Sequence, residues 1–357
     1  MGRNRYGYCL IGCEGGRYLT EKIDAELKGS EGYRGIIKSE SVKFHDGEIE
    51  ARIMEHVRGS DVYIIQQLYS PTTSGRNLND NLFELCLTIQ AAGKADAHKI
   101  TAVIPYHAYS RADRRSGKDE GIRKSIGAKL VADVIVASGA DKVMSFDIHN
   151  ESIEAFYPNR FPVENIYQTN LFNNKLKNDF PEYLENAVML ALDLGGAKRV
   201  ARQAKIMGLP LAVVEKGRDT VSGELKIEGI MGDVRGKYCV CLDDIGGTFG
   251  TFQEGGGAAM ASGALGIIGG VSFPLFVGPA IERMDKMHEE GGLIAMLGTD
   301  AVWHGEEFLE EHPYFSYIPL APTLANTIRA IQRGEDSLHQ ELDVKPLEQN
   351  GLILPKP

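Results

Sequence analysis

The sequence predicts an α/β protein built as two consecutive arrays of parallel strands covered by helices. Three observations carry this prediction. Short apolar runs recur along the 357 residues. Stretches with apolar residues at helical spacing separate them. Aromatic, Pro and Asn residues cluster near Phe156–Pro162, as at a domain boundary. In the first array the runs are Val62–Gln66, Ile100–Pro105 and Lys142–Asp147. In the second they are Ala187–Leu192, Leu211–Val214, Tyr238–Leu242 and Leu265–Val271. Asn81–Ala92, Ala128–Ser138 and Lys198–Ile206 carry the helical pattern between them. Strand–helix alternation over this length places helices on both faces of parallel sheets. Ligands then bind beyond the carboxyl ends of the strands.

Composition narrows the function classes. Hydrophobic residues are 43% and charged residues 25%, as in an ordinary globular chain. The net charge of −10 argues against nucleic acid or an anionic membrane as the main partner. No apolar run reaches the ~18 residues of a membrane helix. Met1–Tyr8 is polar and basic, so no secretory signal is expected. The cysteines are Cys9, Cys13, Cys86, Cys239 and Cys241. Their odd number and spacing fit no disulfide or zinc framework, which implies a reducing, cytoplasmic setting. Cys239 and Cys241 alternate in an apolar run and should face one side of a strand.

Tyr238–Thr251, YCVCLDDIGGTFGT, is the most informative segment. An apolar strand ends in Asp243 and Asp244, and Gly246, Gly247, Thr248, Gly250 and Thr251 follow. Small residues let backbone amides approach a phosphate, and threonine hydroxyls add donors. The carboxylates suit sugar hydroxyls or a hydrated Mg²⁺. A ribose-phosphate cradle and a plain turn with solvated acids fit this segment equally well taken alone. In Lys43–Glu48, Phe44 could stack on a flat ring while Asp46 and Glu48 accept from an exocyclic amine. A surface turn is the simpler account of that segment. Tyr106–Arg115 gathers Arg111, Arg114 and Arg115 after a strand, where guanidinium forks suit a polyphosphate; a paired surface run fits as well. His149 and Asp193 stand at two strand ends and could each hold a Mg²⁺ that already carries phosphate and water. Lys216 and Arg218 follow the strand Leu211–Val214, where a flexible cationic loop could fold over phosphoryl groups.

Taken in order, these segments resemble the ribose-phosphate pyrophosphokinase family, also called phosphoribosyl pyrophosphate synthetases, from about Lys43 to about Gln332. Phe44-His45-Asp46-Gly47-Glu48 resembles the family's F-S-D-G-E, which binds adenine across a subunit boundary. VIPYHAYSRADRR resembles V-I-P-Y-x-x-Y-A-R-Q-D-R-K, which implies an ATP-phosphate role for Arg111, Asp113 and Arg114. FDIH resembles L-D-L-H, implying His149 as a Mg²⁺ ligand. LDLGG is similar to S-P-D-H-G-G and makes Asp193 the second metal candidate. Glu215–Arg218 resembles D-K-R-R, so the catalytic pair would be Lys216 and Arg218. The cradle resembles D-D-I-I-D-T-A-G-T. That assigns ribose contacts to Asp243 and Asp244, and the 5′-phosphate to Thr248, Gly250 and Thr251.

The resemblance implies two consecutive phosphoribosyltransferase-like domains, each a mainly parallel sheet flanked by helices. The ATP-side domain would cover 1–160, with 323–345 packing back on it. The ribose-phosphate domain would cover 161–322, and 346–357 would be an irregular tail. The implied reaction moves the β,γ-diphosphoryl group of MgATP to the anomeric hydroxyl of ribose 5-phosphate. The implied assembly is a homo-oligomer, a dimer at least, with a hexamer as the larger option.

Departures from the pattern cluster on the acceptor side. Gly247 replaces a cradle aspartate and Phe249 a small loop residue. Ala112, Leu194 and Gly217 replace a glutamine, a histidine and an arginine. Extra residues stand around Thr72–Leu78 and Lys118–Lys124. Two further readings follow: the same chemistry on a larger acceptor such as ADP-ribose, or a catalytically silent paralogue. Gly255–Gly257 cost about 1 kcal/mol each inside a helix. The helix after the cradle is therefore expected to be short, late-starting or displaced.

Overall fold

The computed structural model describes residues 6–114, 123–218 and 225–335. They form two compact α/β units. Within the described residues, one comprises 6–114, 123–167, 301–304 and 319–335, and the other 168–218, 225–300 and 305–318. The break follows Tyr167 rather than residue 160, because the strand Val163–Ile166 pairs with the first sheet. The return to the first unit starts at 319, ahead of the expected 323. The tail 346–357 lies outside the described residues.

In the first unit the strands are β1 (Tyr8–Gly12), β2 (Tyr33–Ile36), β3 (Ser39–Lys43), β4 (Ile49–Ile53), β5 (Asp61–Ile65), β6 (Lys99–Val103), β7 (Lys142–Phe146) and β8 (Val163–Ile166). Six make a parallel sheet in the order β2-β1-β5-β6-β7-β8, while β3 and β4 form an antiparallel hairpin. Cys9, Leu10, Ile11, Val62, Ile64 and Ile65 on the neighbouring strands β1 and β5 are fully buried. A parallel strand covered on both faces reads as a continuous apolar run for this reason. β1 escapes the sequence pattern because its run is only YCLIG beside a basic terminus.

In the second unit follow β9 (Ala187–Ala191), β10 (Leu211–Arg218), β11 (Leu225–Met231), β12 (Tyr238–Gly246), β13 (Gly266–Pro274), β14 (Leu293–Thr299) and β15 (Phe315–Ile318). Their order is β11-β10-β9-β12-β13-β14-β15, parallel except for β10 with β11. Cys239 and Cys241 are buried and face the same core cluster. Burial pushes the Cys239 thiol up to about 12, so these thiols stay protonated and apolar.

The helix after the cradle contradicts expectation. It starts at Gly250 and runs to Ala261, straight through the glycines. Packing overrides propensity here. A Cβ on Gly255 would stand 2.8 Å from Leu192 Cδ2, and one on Gly256 2.6 Å from Ile267 Cδ1. Bare backbone lets this helix settle closely on β9 and β13. Gly257 faces open space.

Candidate active site

The second unit brings most of the acceptor-side residues onto three adjacent strands. β10, β9 and β12 are neighbours in that order, so their carboxyl ends lie side by side. β10 ends with Lys216 and Arg218, β9 leads into Asp193, and β12 carries Asp243 and Asp244. The two aspartates belong to the strand itself, which continues to Gly246. Arg199, on the helix Ala197–Met207, bridges them: Nη2 lies 2.5 Å from Asp243 Oδ1 and Nη1 3.5 Å from Asp244 Oδ1. Burial, followed by the charge of Asp244, raises the Asp243 carboxyl to about 6 against the opposing pull of Arg199. Asp193 Oδ1 accepts the Gly196 N–H at 2.9 Å, fixing the turn into the same helix.

The loop after β12 is held from one side. Phe276 N–H donates to the Gly246 carbonyl at 2.8 Å and Val277 N–H to the Gly247 carbonyl at 3.1 Å. Arg283 Nη1 donates to the Thr248 carbonyl at 2.9 Å. A trans peptide points its carbonyl and its amide to opposite sides. Drawing these three carbonyls toward one neighbour turns the amides of Gly247, Thr248 and Phe249 the other way. Among the described residues nothing accepts from these amides. Backbone donors at a helix start are groups of the kind that receive anions.

Phe249 is not inside the cradle. Its backbone is left-handed, with φ 62°, which swings the ring into the core, 3% exposed and stacked on Phe252 at 4.8 Å. The aromatic therefore does not line an acceptor pocket. Beside the cradle, Lys216 Nζ meets Glu254 Oε2 at 3.1 Å with a side chain only 13% exposed. Glu254 lies on the helix that begins at Gly250, so the lysine reaches the start of the helix that follows the loop. The expected flexible loop Glu215–Arg218 is instead strand, paired through Lys216↔Ile227 and Arg218↔Leu225. Gly217 admits Glu228, whose carboxylate would collide with a Cβ there. Residues 219–224 lie outside the description.

In the first unit, Phe44, Asp46 and Glu48 occupy the exposed tip of the β3–β4 hairpin. Phe44 N–H bonds the Glu48 carbonyl at 2.8 Å, Asp46 Oδ1 accepts the Glu48 N–H at 3.0 Å, and Gly47 turns the chain at φ 95°. The root of the hairpin is fastened to the extra residues. Lys43 Nζ reaches the Gly75 carbonyl and Asp80, while Arg76 reaches Ser41 and pairs with buried Glu84 at 2.6 Å.

Beyond β6, Arg111 and Arg114 are exposed. Asp113 accepts from Asn150 Nδ2 at 2.6 Å, which ties this loop to the exposed His149 beyond β7. His107 of the same segment is buried against Tyr157 OH at 2.9 Å, and burial depresses it to about 4. It is a neutral core histidine. Arg115 and residues 118–122 lie outside the description. The structure thus groups Arg111, Asp113, Arg114 and His149 in one unit and Asp193, Lys216, Asp243, Asp244 and the cradle in the other. Sequence reasoning missed Arg199, Glu254, Arg283, Asn150 and the Arg76–Glu84 pair. Each reads as an ordinary polar position on a helix or loop.

Comparison with known proteins follows the same lines. A family model described as the N-terminal domain of ribose phosphate pyrophosphokinase matches residues 8–139. A ribose-phosphate pyrophosphokinase of Cereibacter sphaeroides is 33% identical over 299 residues, covering 84% of each chain. That of Hyphomonas neptunium is 34% identical over 327 residues, 91% of this chain and 97% of the relative. The crystal structure of phosphoribosylpyrophosphate synthetase from Mycobacterium smegmatis superposes with a TM-score of 0.78 at 27% identity, covering 92% of this chain and 99% of the other.

Proposed function

We propose, because the chain belongs to the ribose-phosphate pyrophosphokinase family, that it transfers the β,γ-diphosphoryl group of MgATP to ribose 5-phosphate. The products are phosphoribosyl pyrophosphate and AMP. The observation that carries this reading is the grouping of Lys216, Asp193 and the Asp243–Thr251 cradle on three neighbouring strand ends.

In this reading the anomeric hydroxyl attacks the β-phosphorus of ATP. A new P–O bond forms to the oxygen on C1, whose proton passes to solvent, the bond from the β-phosphorus to the α-phosphate oxygen breaks, and AMP leaves. Phosphoryl transfer asks the protein mainly for positioning and charge neutralisation. Asp243 and Asp244, oriented by Arg199, accept from the ribose diol. Thr248, Gly250 and Thr251 hold the 5-phosphate with the loop amides. Lys216 exchanges Glu254 for the transferring phosphoryl oxygens, and Arg218 assists. Arg111, Asp113 and Arg114 hold the nucleotide phosphates, and Phe44, Asp46 and Glu48 serve adenine from a second copy of the chain, which makes the enzyme a homo-oligomer.

The donor set fits a Mg²⁺ that arrives with ATP. Among the described residues no three His, Cys, Asp or Glu side chains gather as a cage, and Mg²⁺ commonly takes one or two protein ligands beside phosphate and water. Asp193 in the second unit and His149 in the first could each offer one ligand to such an ion, which would neutralise phosphate charge. No described helix is long and apolar enough to cross a membrane. All five cysteines are free, which supports a cytoplasmic setting.

The product nucleotide tests the reading. Incubation with ATP and ribose 5-phosphate should release AMP and a diphosphorylated sugar by mass spectrometry. ADP instead of AMP would refute diphosphoryl transfer, and turnover confined to ADP-ribose would reassign the acceptor.

A further inference from the structure

We infer that Glu254 is a positioning residue that holds Lys216 in an ion pair until the acceptor phosphate arrives, and so withholds the lysine from ATP while no acceptor is bound. The inference rests on the diphosphoryl-transfer reading and deepens it by naming how the site is regulated. Glu254 lies on the helix Gly250–Ala261, four residues after Gly250 and three after Thr251. Residues three and four apart share a helix face. Glu254 therefore belongs to the same face as two of the residues assigned to the 5-phosphate, one turn further along.

Three observations bear on its role. First, Lys216 Nζ stands 3.1 Å from Glu254 Oε2, and among the described residues the ammonium makes no other ion pair or hydrogen bond. Second, the two partners are unequally buried. The lysine side chain is 13% exposed and the glutamate 54%. A mostly desolvated cation needs a counterion more than a surface one does, whereas a half-exposed acid returns to water at little cost. The acid is thus the partner that can leave. Third, the pairing of β10 with β11 shifts register between Glu215 and Lys216. An irregularity of this kind re-aims the side chain that follows it.

A lysine that neutralises the transferring group also favours attack by water. In that side reaction the water oxygen bonds to the β-phosphorus, a water proton passes to solvent, the bond to the α-phosphate oxygen breaks, and ATP gives AMP and diphosphate. The ion pair with Glu254 must be given up before Lys216 can meet a phosphoryl oxygen, so the pair opposes both reactions. A dianionic 5-phosphate at the helix start repels the carboxylate one turn away. That repulsion loosens the pair only when the acceptor is present, which favours the sugar over water.

The test compares the full-length protein with E254Q and E254D, by AMP release with and without ribose 5-phosphate and by calorimetric binding of MgATP. Loss of the competing carboxylate predicts that AMP release without acceptor rises roughly fivefold in E254Q and that Kd for MgATP falls by about the same factor, the worth of one partly desolvated ion pair. E254D, with the charge on a shorter arm, should lie between E254Q and the parent. In a Lys216→Ala background E254Q should leave Kd for MgATP unaltered, because Glu254 acts through the lysine. Parental values in E254Q for both acceptor-free AMP release and MgATP Kd would overturn the assignment. So would an equal fall in Kd with and without Lys216, which would mean that the carboxylate repels ATP directly, or a loss of AMP release under both conditions, which would make the pair a structural support. A parent protein that releases ADP, or no AMP, with ribose 5-phosphate would overturn the diphosphoryl-transfer reading instead, and the MgATP binding comparison would still judge Glu254.

Discussion

The carboxyl edges of the two sheets handle charge in opposite ways. In the second unit several of the charges near the strand ends are already paired: Arg199 with Asp243 and Asp244, Lys216 with Glu254. In the first unit Arg111, Arg114 and the Phe44–Glu48 tip face solvent, and the close pairing lies at the root of the hairpin, at Arg76–Glu84 and Lys43–Asp80. A paired edge keeps its geometry before any ligand arrives, so little reorganisation remains for the reaction. An exposed edge over a buried root holds position while leaving its faces open to a partner. The contrast teaches that precision can be built into the ligand groups themselves or into their support.

Four substitutions or titrations would break or sharpen this contrast. Lys216→Ala should act on rate alone, lowering kcat by about a thousandfold while the fold survives, because transition-state charge loses its partner. A kcat within tenfold of the parent would show that the paired edge is not the reacting one. Arg76→Ala should act on stability, by about 3–5 kcal/mol, because Glu84 at 1% exposure keeps a buried charge without a counterion. Denaturant unfolding reads this, and a loss below about 1 kcal/mol would deny the root its role. Phe44→Ala should raise KM for ATP by roughly tenfold, the worth of one base–aromatic stack, and leave the acceptor KM alone. A change confined to the acceptor would place the tip elsewhere.

The smallest effect is the titration of Asp243. Its folded value of about 6 is raised, so its contribution to stability is present below its unfolded value and is lost as pH rises through about 6. Acceptor binding moves the other way, because only the ionised carboxylate pairs with Arg199 and accepts from both ribose hydroxyls. From pH 7 to pH 5 the KM for ribose 5-phosphate should rise several-fold. The Tm difference between the parent and D243N isolates the opposing trend in stability. D243N with an unaltered acid limb would move the titration to another group.

Much of the sheet was legible from short apolar runs because buried parallel strands have no solvent face to interrupt them; Val62–Gln66 and Ala187–Leu192 are of this kind. β3, β4 and β11 were not, since they are exposed or pair with one neighbour only and carry mixed residues such as SESVK. Residues contributed by their own loop, such as Asp243 and Thr248, could be read from local chemistry. Arg199 and Arg283 could not, because their place at the cradle is created by helices that follow other strands, and nothing local marks them apart from any arginine on a polar helix face. The glycine run misled for a related reason. Propensity describes an isolated helix, whereas Leu192 and Ile267 set the requirement at Gly255 and Gly256.

That run also divides into residues with different obligations. Two of the three glycines are spacers, and any side chain there would pry the helix off the sheet. A Cβ on the third, Gly257, would meet nothing within 4 Å, so this glycine mainly adds conformational freedom to the unfolded chain. Alanine at that place should raise stability by about 1 kcal/mol without moving the cradle a single helical turn away, so the molecule carries, next to its most crowded seam, a place where rigidity can be added from outside.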